Sequence, residues 1–265
     1  MSKFKYLFLI TNVIILITFL IIFFLPDLRK TLENSSDNVL PATTQLPNTN
    51  YFNLNLSQIS PNLVSNIVRI EQNDNLELIN NLEKKLTSSQ ALSQYDCNVL
   101  TSSYFYTSEN VPLGLVEISS DVIQKNNDSS TLINGYFAMS AADTALILDH
   151  PGTSTYKFIF QTGPLFLLNN NELTGTLESD SSKRRIVAAT DGYNTLYLIT
   201  LYNQDSRFHG VSLSGVLPAL REIEKNIGIT FSDAINLDGG TASVFFDGAV
   251  TLPELSFVGG FLCAR

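Results

Sequence analysis

Groups able to move a proton or hold a charge are sparse in this sequence, and the most concentrated set is short. It is Asp238-Gly239-Gly240-Thr241-Ala242-Ser243, with apolar residues on either side: Ala234, Ile235 and Leu237 before it, Val244-Phe245-Phe246 after it. A carboxylate, two glycines and two hydroxyls are thereby confined to a loop between two segments that read as strands. Paired glycines let a ligand come close to the backbone and turn peptide N–H groups outward, while Thr241 and Ser243 add rotatable donors. The set suits a phosphate or a sugar hydroxyl. It suits equally a tight Asp-Gly-Gly turn capped by its own aspartate. Asp247-Gly248 follows, with the composition of a two-residue type I′ hairpin.

Two further clusters stand out. Gln161-Thr162-Gly163-Pro164 lies between two apolar runs, where Gln supplies an amide donor and acceptor and Gly permits close packing; a plain connection between strands explains it too. Lys183-Arg184-Arg185 is the densest positive charge in the chain, just before a strand. Arginine meets phosphate oxygens with two parallel donors and stays charged, so one of these residues is the natural anion clamp; a solvated loop tip is the bland alternative. A Ser-His-Asp arrangement drawn from Ser212, His209 and Asp238 lacks the GxSxG elbow, since Gly210 to Gly215 has the wrong spacing.

Composition narrows the classes of function. The chain has 265 residues, 44% of them hydrophobic, enough for one well-buried domain and an appendage. A net charge of −9 without a long basic run argues against nucleic acid as a partner. With two histidines and two cysteines outside any CxxC spacing, neither a His-rich metal centre nor thiol redox chemistry is indicated. Asp238 with Asp233 or Asp247 lacks the spacing of a calcium loop, so no metal and no cofactor is expected. Cys97 and Cys263 either pair in an oxidising compartment or remain buried thiols.

The elements that must position these residues are mostly strands. Segments 99–106, 113–118, 146–148, 158–160, 165–168, 186–189 and 196–201 are apolar and β-branched or aromatic, and the last two read as a hairpin across Asp191-Gly192. Val68 to Ile70 and Leu76 to Leu78 alternate about an Asn-Asp-Asn turn, and residues 83–93 fit a short helix. One longer helix is expected over 215–227: Leu213, Leu217, Leu220, Ile223 and Ile227 share a face, Ser214 can cap it, Pro218 falls in the first turn and Gly228 ends it. Strands outnumber helices without regular βαβ alternation, so the expected fold is α+β with a largely antiparallel or mixed sheet.

Residues 6–25 are almost wholly apolar. At about 1.5 Å per helical residue they match the roughly 30 Å hydrocarbon core of a bilayer. The segment is longer than a signal-peptide core and is followed by Pro26-Asp27-Leu28, which offers no small-residue cleavage site. The expected organisation is therefore an N-terminal transmembrane anchor over 1–30, a polar linker over 31–50 and a globular domain over 51–265, the last lying outside the cytoplasm.

Taken together, Leu237-Asp238-Gly239-Gly240-Thr241-Ala242-Ser243, Gln161-Thr162-Gly163-Pro164, the Arg-led strand at Arg185 and Pro112-Leu113-Gly114-Leu115 resemble the phosphodiester glycosidase family, whose patterns run N-G-G-F-F/Y, P-x-G-L, Q-S-G-P, R-T-A and N-L-D-G-G-G-S. The resemblance covers about residues 65–265. It implies hydrolysis of a sugar phosphodiester, with Asp238 as general acid or base and Arg185 neutralising the phosphate. Ser102, Gln161, Thr162, Gly163, Asn236, Gly239, Gly240, Thr241 and Ser243 would bind or line the substrate. Its partner would be a carbohydrate phosphodiester or an envelope glycan. The sequence departs from the pattern at Ser102, where the family has Asn, and at Thr241, where it has a third Gly. Asn134-Gly135-Tyr136-Phe137 mimics the first pattern but follows Pro112-Leu113-Gly114-Leu115 and reads as another strand. A glycan-binding module that keeps the fold without the chemistry is the alternative reading, and a structural domain without a ligand is a third.

Overall fold

The structure is a computed structural model that describes residues 50–71, 74–127, 129–173 and 180–265. Strand sequences here alternate in a way that sorts their two faces. In the strand Arg185–Asp191, Ile186 and Ala188 point into one core while Val187 and Ala189 point into another, as a two-residue period requires. Both faces are apolar, so the strand is covered on both sides.

Three antiparallel sheets result. The largest has the order Tyr51–Asn55, Leu63–Ile70, Leu196–Asn203, Arg185–Asp191, Phe231–Leu237, Leu165–Leu168, Asn171–Glu172. The second runs Thr251–Leu252, Phe245–Phe246, Val99–Ser102, Gly260–Ala264, Leu76–Asn80. The third runs Asp121–Gln124, Val116–Ile118, Tyr156–Thr162, Gly135–Ser140, Ala145–Leu148. All three contribute to one shared core, which joins Val68, Leu198 and Ile235 of the first to Leu262 and Phe245 of the second and Phe137 and Phe160 of the third. The expected β-rich α+β fold is the one observed.

Two α-helices are present among the described residues, each covering an outer sheet face. Val216–Ile227 lays Val216, Ala219, Leu220, Ile223 and Ile227 against the largest sheet. Pro218 falls in its first turn, and Gly228, at φ 72°, ends it. The expected Ser214 cap is replaced. A 3-10 turn, Leu213–Gly215, precedes the helix, and the Asp180 carboxylate accepts from the N–H groups of Leu213 and Ser214. The shorter helix, Ser88–Tyr95, starts five residues later than expected because Thr87 and Gln90 form a reciprocal capping box. It packs behind the second sheet beside a disulfide between Cys97 and Cys263, whose Cα atoms are 5.4 Å apart.

Two local expectations are corrected. The strands Leu63–Ile70 and Leu76–Asn80 do not form a hairpin; they belong to different sheets, so the chain between them crosses over. The connection at Asp247-Gly248 has four residues rather than two, because Phe246 pairs with Thr251 and the Asp247 side chain accepts from the N–H groups of Ala249 and Val250. The apolar segment 6–25 and the linker up to residue 49 lie outside the described residues. Among those described, no helix is long and apolar enough to cross a membrane.

Candidate functional site

Asp238 stands one residue beyond the strand Phe231–Leu237, where the first and second sheets meet. Its backbone is held at both ends by the strand Val99–Ser102 and the residue after it. The Asp238 N–H donates to the Ser103 carbonyl at 2.9 Å, and the Ser102 hydroxyl donates to the Asp238 carbonyl at 2.6 Å. With the main chain fixed, the side chain is the part left to act. Asp238 is 7% exposed. Burial pushes its carboxyl well above the usual carboxylate range, opposed by the Gly239 N–H and by the positive charge of Lys183. Tyr106 lies within electrostatic reach: burial, and then the Asp238 charge, raise its phenol to about 12. The Tyr106 hydroxyl donates to the Phe257 carbonyl.

The glycines are required by what lies beside them. A Cβ on Gly239 would stand 2.6 Å from the Arg184 carbonyl oxygen, closer than side-chain carbons are found. Gly240 sits at φ +66° and donates its N–H to that same oxygen at 2.8 Å. The loop is thus pressed onto the start of the strand Arg185–Asp191.

The three consecutive cations of that start diverge. Arg184 turns inward and is fully buried. Its guanidinium donates to the Ser243 hydroxyl at 2.7 Å, to the Ser243 carbonyl, to the Pro253 carbonyl at 2.9 Å and to the Arg207 carbonyl at 3.3 Å, and it stacks 4.8 Å from the centre of the Phe208 ring. Burial lowers its pKa to about 10, with the Glu254 charge opposing. Arg185 turns the other way. It donates to the carbonyls of Val211 and Ser181 at 3.0 and 2.6 Å and pairs with Asp180 at 3.6 Å. Burial would raise the Asp180 pKa, but the N–H and O–H of Ser214, the Leu213 N–H and the Arg185 charge together hold it below the usual value. Lys183 stays exposed, and its charge is the one that bears on Asp238. Arg185, which sequence reasoning placed on the substrate phosphate, has its guanidinium engaged by Asp180 and two carbonyls.

The remaining residues expected to bind substrate are largely internal. Gln161 makes four bonds: its carbonyl accepts from Leu115 and Asn127 N–H at 3.2 and 2.9 Å, and its amide donates to the Asn127 and Ile133 carbonyls at 2.8 and 2.9 Å. That is a latch on two loops, with its capacity taken up. The Thr162 hydroxyl donates to the Asn236 carbonyl at 2.8 Å, and the Asn236 amide donates to the Gly163 carbonyl at 3.0 Å. Gly163 is needed where it is: a Cβ there would meet the Leu132 carbonyl at 2.4 Å. Ser243 receives from Arg184 and donates to the Gly240 carbonyl at 2.7 Å. Two polar atoms of this region, the Asn236 side-chain oxygen and the Ser103 hydroxyl, are buried without a hydrogen-bond partner. Thr241 is exposed and its hydroxyl accepts from Ser256 at 3.0 Å. The structure therefore gathers Asp238, Gly239, Gly240, Thr241 and Ser243 in one continuous turn, braced by Arg184 and held by the Ser102 hydroxyl from the strand Val99–Ser102.

His209 is exposed and shares a 2.7 Å hydrogen bond with Ser206, so no triad with Ser212 and Asp238 is formed. A cleft of about 340 Å³ lined by Glu71, Asp74, Asp143 and Tyr193 lies elsewhere and does not include Asp238. Lys183 and Arg184 belong to the run that stands out in the sequence as its densest positive charge. Asp180 carried no signal in the sequence.

No protein-family model matches the chain, and no curated protein matches it. Solved structures do. The catalytic domain of zebrafish N-acetylglucosamine-1-phosphodiester alpha-N-acetylglucosaminidase, auto-inhibited by its pro-peptide, is 12% identical with a TM-score of 0.57, over 77% of each chain. A hypothetical protein from Synechocystis is 13% identical with a TM-score of 0.53, over 81% of this chain and 61% of that one. At such identities the likeness is one of fold.

Proposed function

We propose that this protein is a hydrolase of sugar phosphodiesters, with Asp238 as its proton-transferring group. What carries the reading is the placement of Asp238: a nearly buried carboxyl, raised in pKa, whose backbone is clamped by Ser102 and Ser103 on a fold similar to that of a phosphodiester glycosidase domain. A carboxyl held rigidly and poised above its ordinary range is suited to proton transfer near neutral pH.

In the proposed reaction water attacks the anomeric carbon. The bond between that carbon and the phosphate oxygen breaks, and its electron pair leaves with the phosphate. A phosphate monoester is a good leaving group, so protonating it matters little, and the demand falls on the water. Asp238 in its ionised form takes the water's proton. The raised pKa makes it a stronger base than a surface aspartate, and the rate should rise with pH as that proton is lost. Arg184 braces the turn through Ser243, and Arg185 fixes the strand start to the helix side through Asp180 and Val211.

The setting we propose is outside the cytoplasm, with the domain tethered through residues 6–25 and acting on envelope or exported glycans. The Cys97–Cys263 disulfide supports an oxidising compartment. One observation favours the second reading, a glycan-binding module without turnover: the Ser102 hydroxyl, where the family has Asn, is engaged by the Asp238 carbonyl and is fully buried. Incubating the full-length protein with the p-nitrophenyl phosphodiester of N-acetylglucosamine 1-phosphate separates the two. Release of free sugar, lost in Asp238→Asn, supports the hydrolase. Saturable binding with no sugar released supports the module.

A further inference from the structure

Three positive residues follow one another where the Asp238 turn presses on the start of the strand Arg185–Asp191, and the fold disposes of two. Arg184 is fully buried, with its donors on Ser243, Pro253 and Arg207 and its face on Phe208. Arg185 is 8% exposed, on the opposite side of its strand, where Asp180 already supplies the negative charge. For either to meet a ligand anion, bonds to buried carbonyls would have to break, and unmade buried bonds are costly.

The geometry points to Lys183 as the residue that holds the anionic phosphate of the substrate, with the Thr241 hydroxyl beside it; this rests on the hydrolase reading above and names its charge contact. The stem of Lys183 lies along the Gly239-Gly240 turn: a Cβ on Gly240 would stand 3.4 Å from Lys183 Cδ and 4.0 Å from its Cβ. Its backbone is fixed by a bridge to Val211, so the stem leaves the strand at a set position. The side chain is exposed and makes no ion pair or side-chain hydrogen bond among the described residues. Of the three cations it alone exerts a charge effect on Asp238. Thr241, one residue beyond Gly240, accepts from Ser256 and so keeps its own O–H to donate outward. Gly240 takes a φ of +66°, which glycine adopts without strain, and a Cβ there would be in ordinary contact with the Lys183 stem.

A compact ammonium on a flexible stem suits a singly charged diester whose second substituent varies, because it demands no bidentate alignment. The contact lies at the surface, so it should be sensitive to salt and should act chiefly on binding. In steady-state assays of the full-length protein with the p-nitrophenyl diester, Lys183→Met is expected to raise KM roughly five- to tenfold, the weight of a partly exposed charge-assisted bond. kcat at saturating pH should be nearly unchanged, Lys183→Arg should restore most of the loss, and the salt dependence of KM should flatten in Lys183→Met. Losing this cation should also move the rising limb of the pH–rate profile to higher pH, a shift that a merely structural lysine would not cause. If the wild type turns over and Lys183→Met matches it in KM and salt dependence, the inference fails while the hydrolase reading stands. If the wild type binds the diester without cleaving it, a matching loss of affinity in Lys183→Met supports the contact. If the wild type neither binds nor cleaves, both are overturned.

Discussion

At the residue scale, Asp238 is a carboxyl whose environment favours its neutral form. Its effect on stability has a definite sign. A carboxyl with a higher pKa in the fold than in the unfolded chain keeps its proton longer in the fold, so the stability it contributes is complete below the unfolded value of about 3.9. That stability is lost as pH rises through the folded value. Asp238→Asn, neutral at every pH, should therefore melt with the wild type near pH 4. At pH 8 it should be more stable by roughly 1–3 kcal/mol, the cost of a poorly compensated buried polar group. Differential scanning fluorimetry across that range checks it. The same substitution should slow turnover by about 10²–10⁴-fold, the usual contribution of a proton-transferring side chain. Arg184 carries the opposite expectation. Arg184→Met leaves the Ser243 and Pro253 carbonyls without donors and should destabilise the protein by about 3 kcal/mol or more, read by urea denaturation.

At the scale of elements, the site is a junction rather than a pocket carved from one sheet. The strand Phe231–Leu237 delivers Asp238, Val99–Ser102 grips it, and the start of Arg185–Asp191 presses on the glycines behind it. Gly239→Ala should push the turn away from the Arg184 carbonyl and cost about 1–3 kcal/mol, the range of overpacked cores, with turnover falling alongside. Gln161 governs a different junction. Gln161→Leu removes four hydrogen bonds and should release the Leu115 and Asn127 amides to fast hydrogen exchange while sparing the amides of Val187 and Ile235. Much of this was legible in sequence: the hairpin across Asp191-Gly192, the helix with Pro218 in its first turn and Gly228 at its end, and the strand leading to Asp238 all follow from apolar period and turn chemistry. What a period of two does not reveal is which way a strand faces. Arg184 and Arg185 look interchangeable in the sequence, yet one residue of register sends them to opposite sides of the sheet. Gln161, Thr162 and Asn236 look like ligand contacts for a similar reason. The side chains that bind a sugar are also those that satisfy buried carbonyls, and only packing tells the two uses apart.

At the scale of the whole molecule, three sheets share a core, and a covalent tie links the strand Gly260–Ala264 of the second sheet to Cys97, just ahead of its neighbour Val99–Ser102. Cys97 and Cys263 are 166 residues apart, so their bond constrains most of the domain in the unfolded state. On the chain-entropy account a loop of that length contributes about 5 kcal/mol. Cys97→Ser should lower the denaturation midpoint by a corresponding amount, and the wild type should lose the difference when assayed under reducing conditions. The bond also holds Gly260–Ala264 beside Val99–Ser102, the strand that grips Asp238, so stability and site geometry are coupled through it. The central claim is that Asp238 moves the proton in hydrolysis of a sugar phosphodiester. The pH–rate profile for sugar released from the p-nitrophenyl diester of N-acetylglucosamine 1-phosphate, by wild type and by Asp238→Asn, tests it most directly. The wild type should turn over with a rising limb above the ordinary carboxylate range, and the variant should show no such limb. Sugar release by Asp238→Asn at the wild-type rate and pH dependence would contradict it.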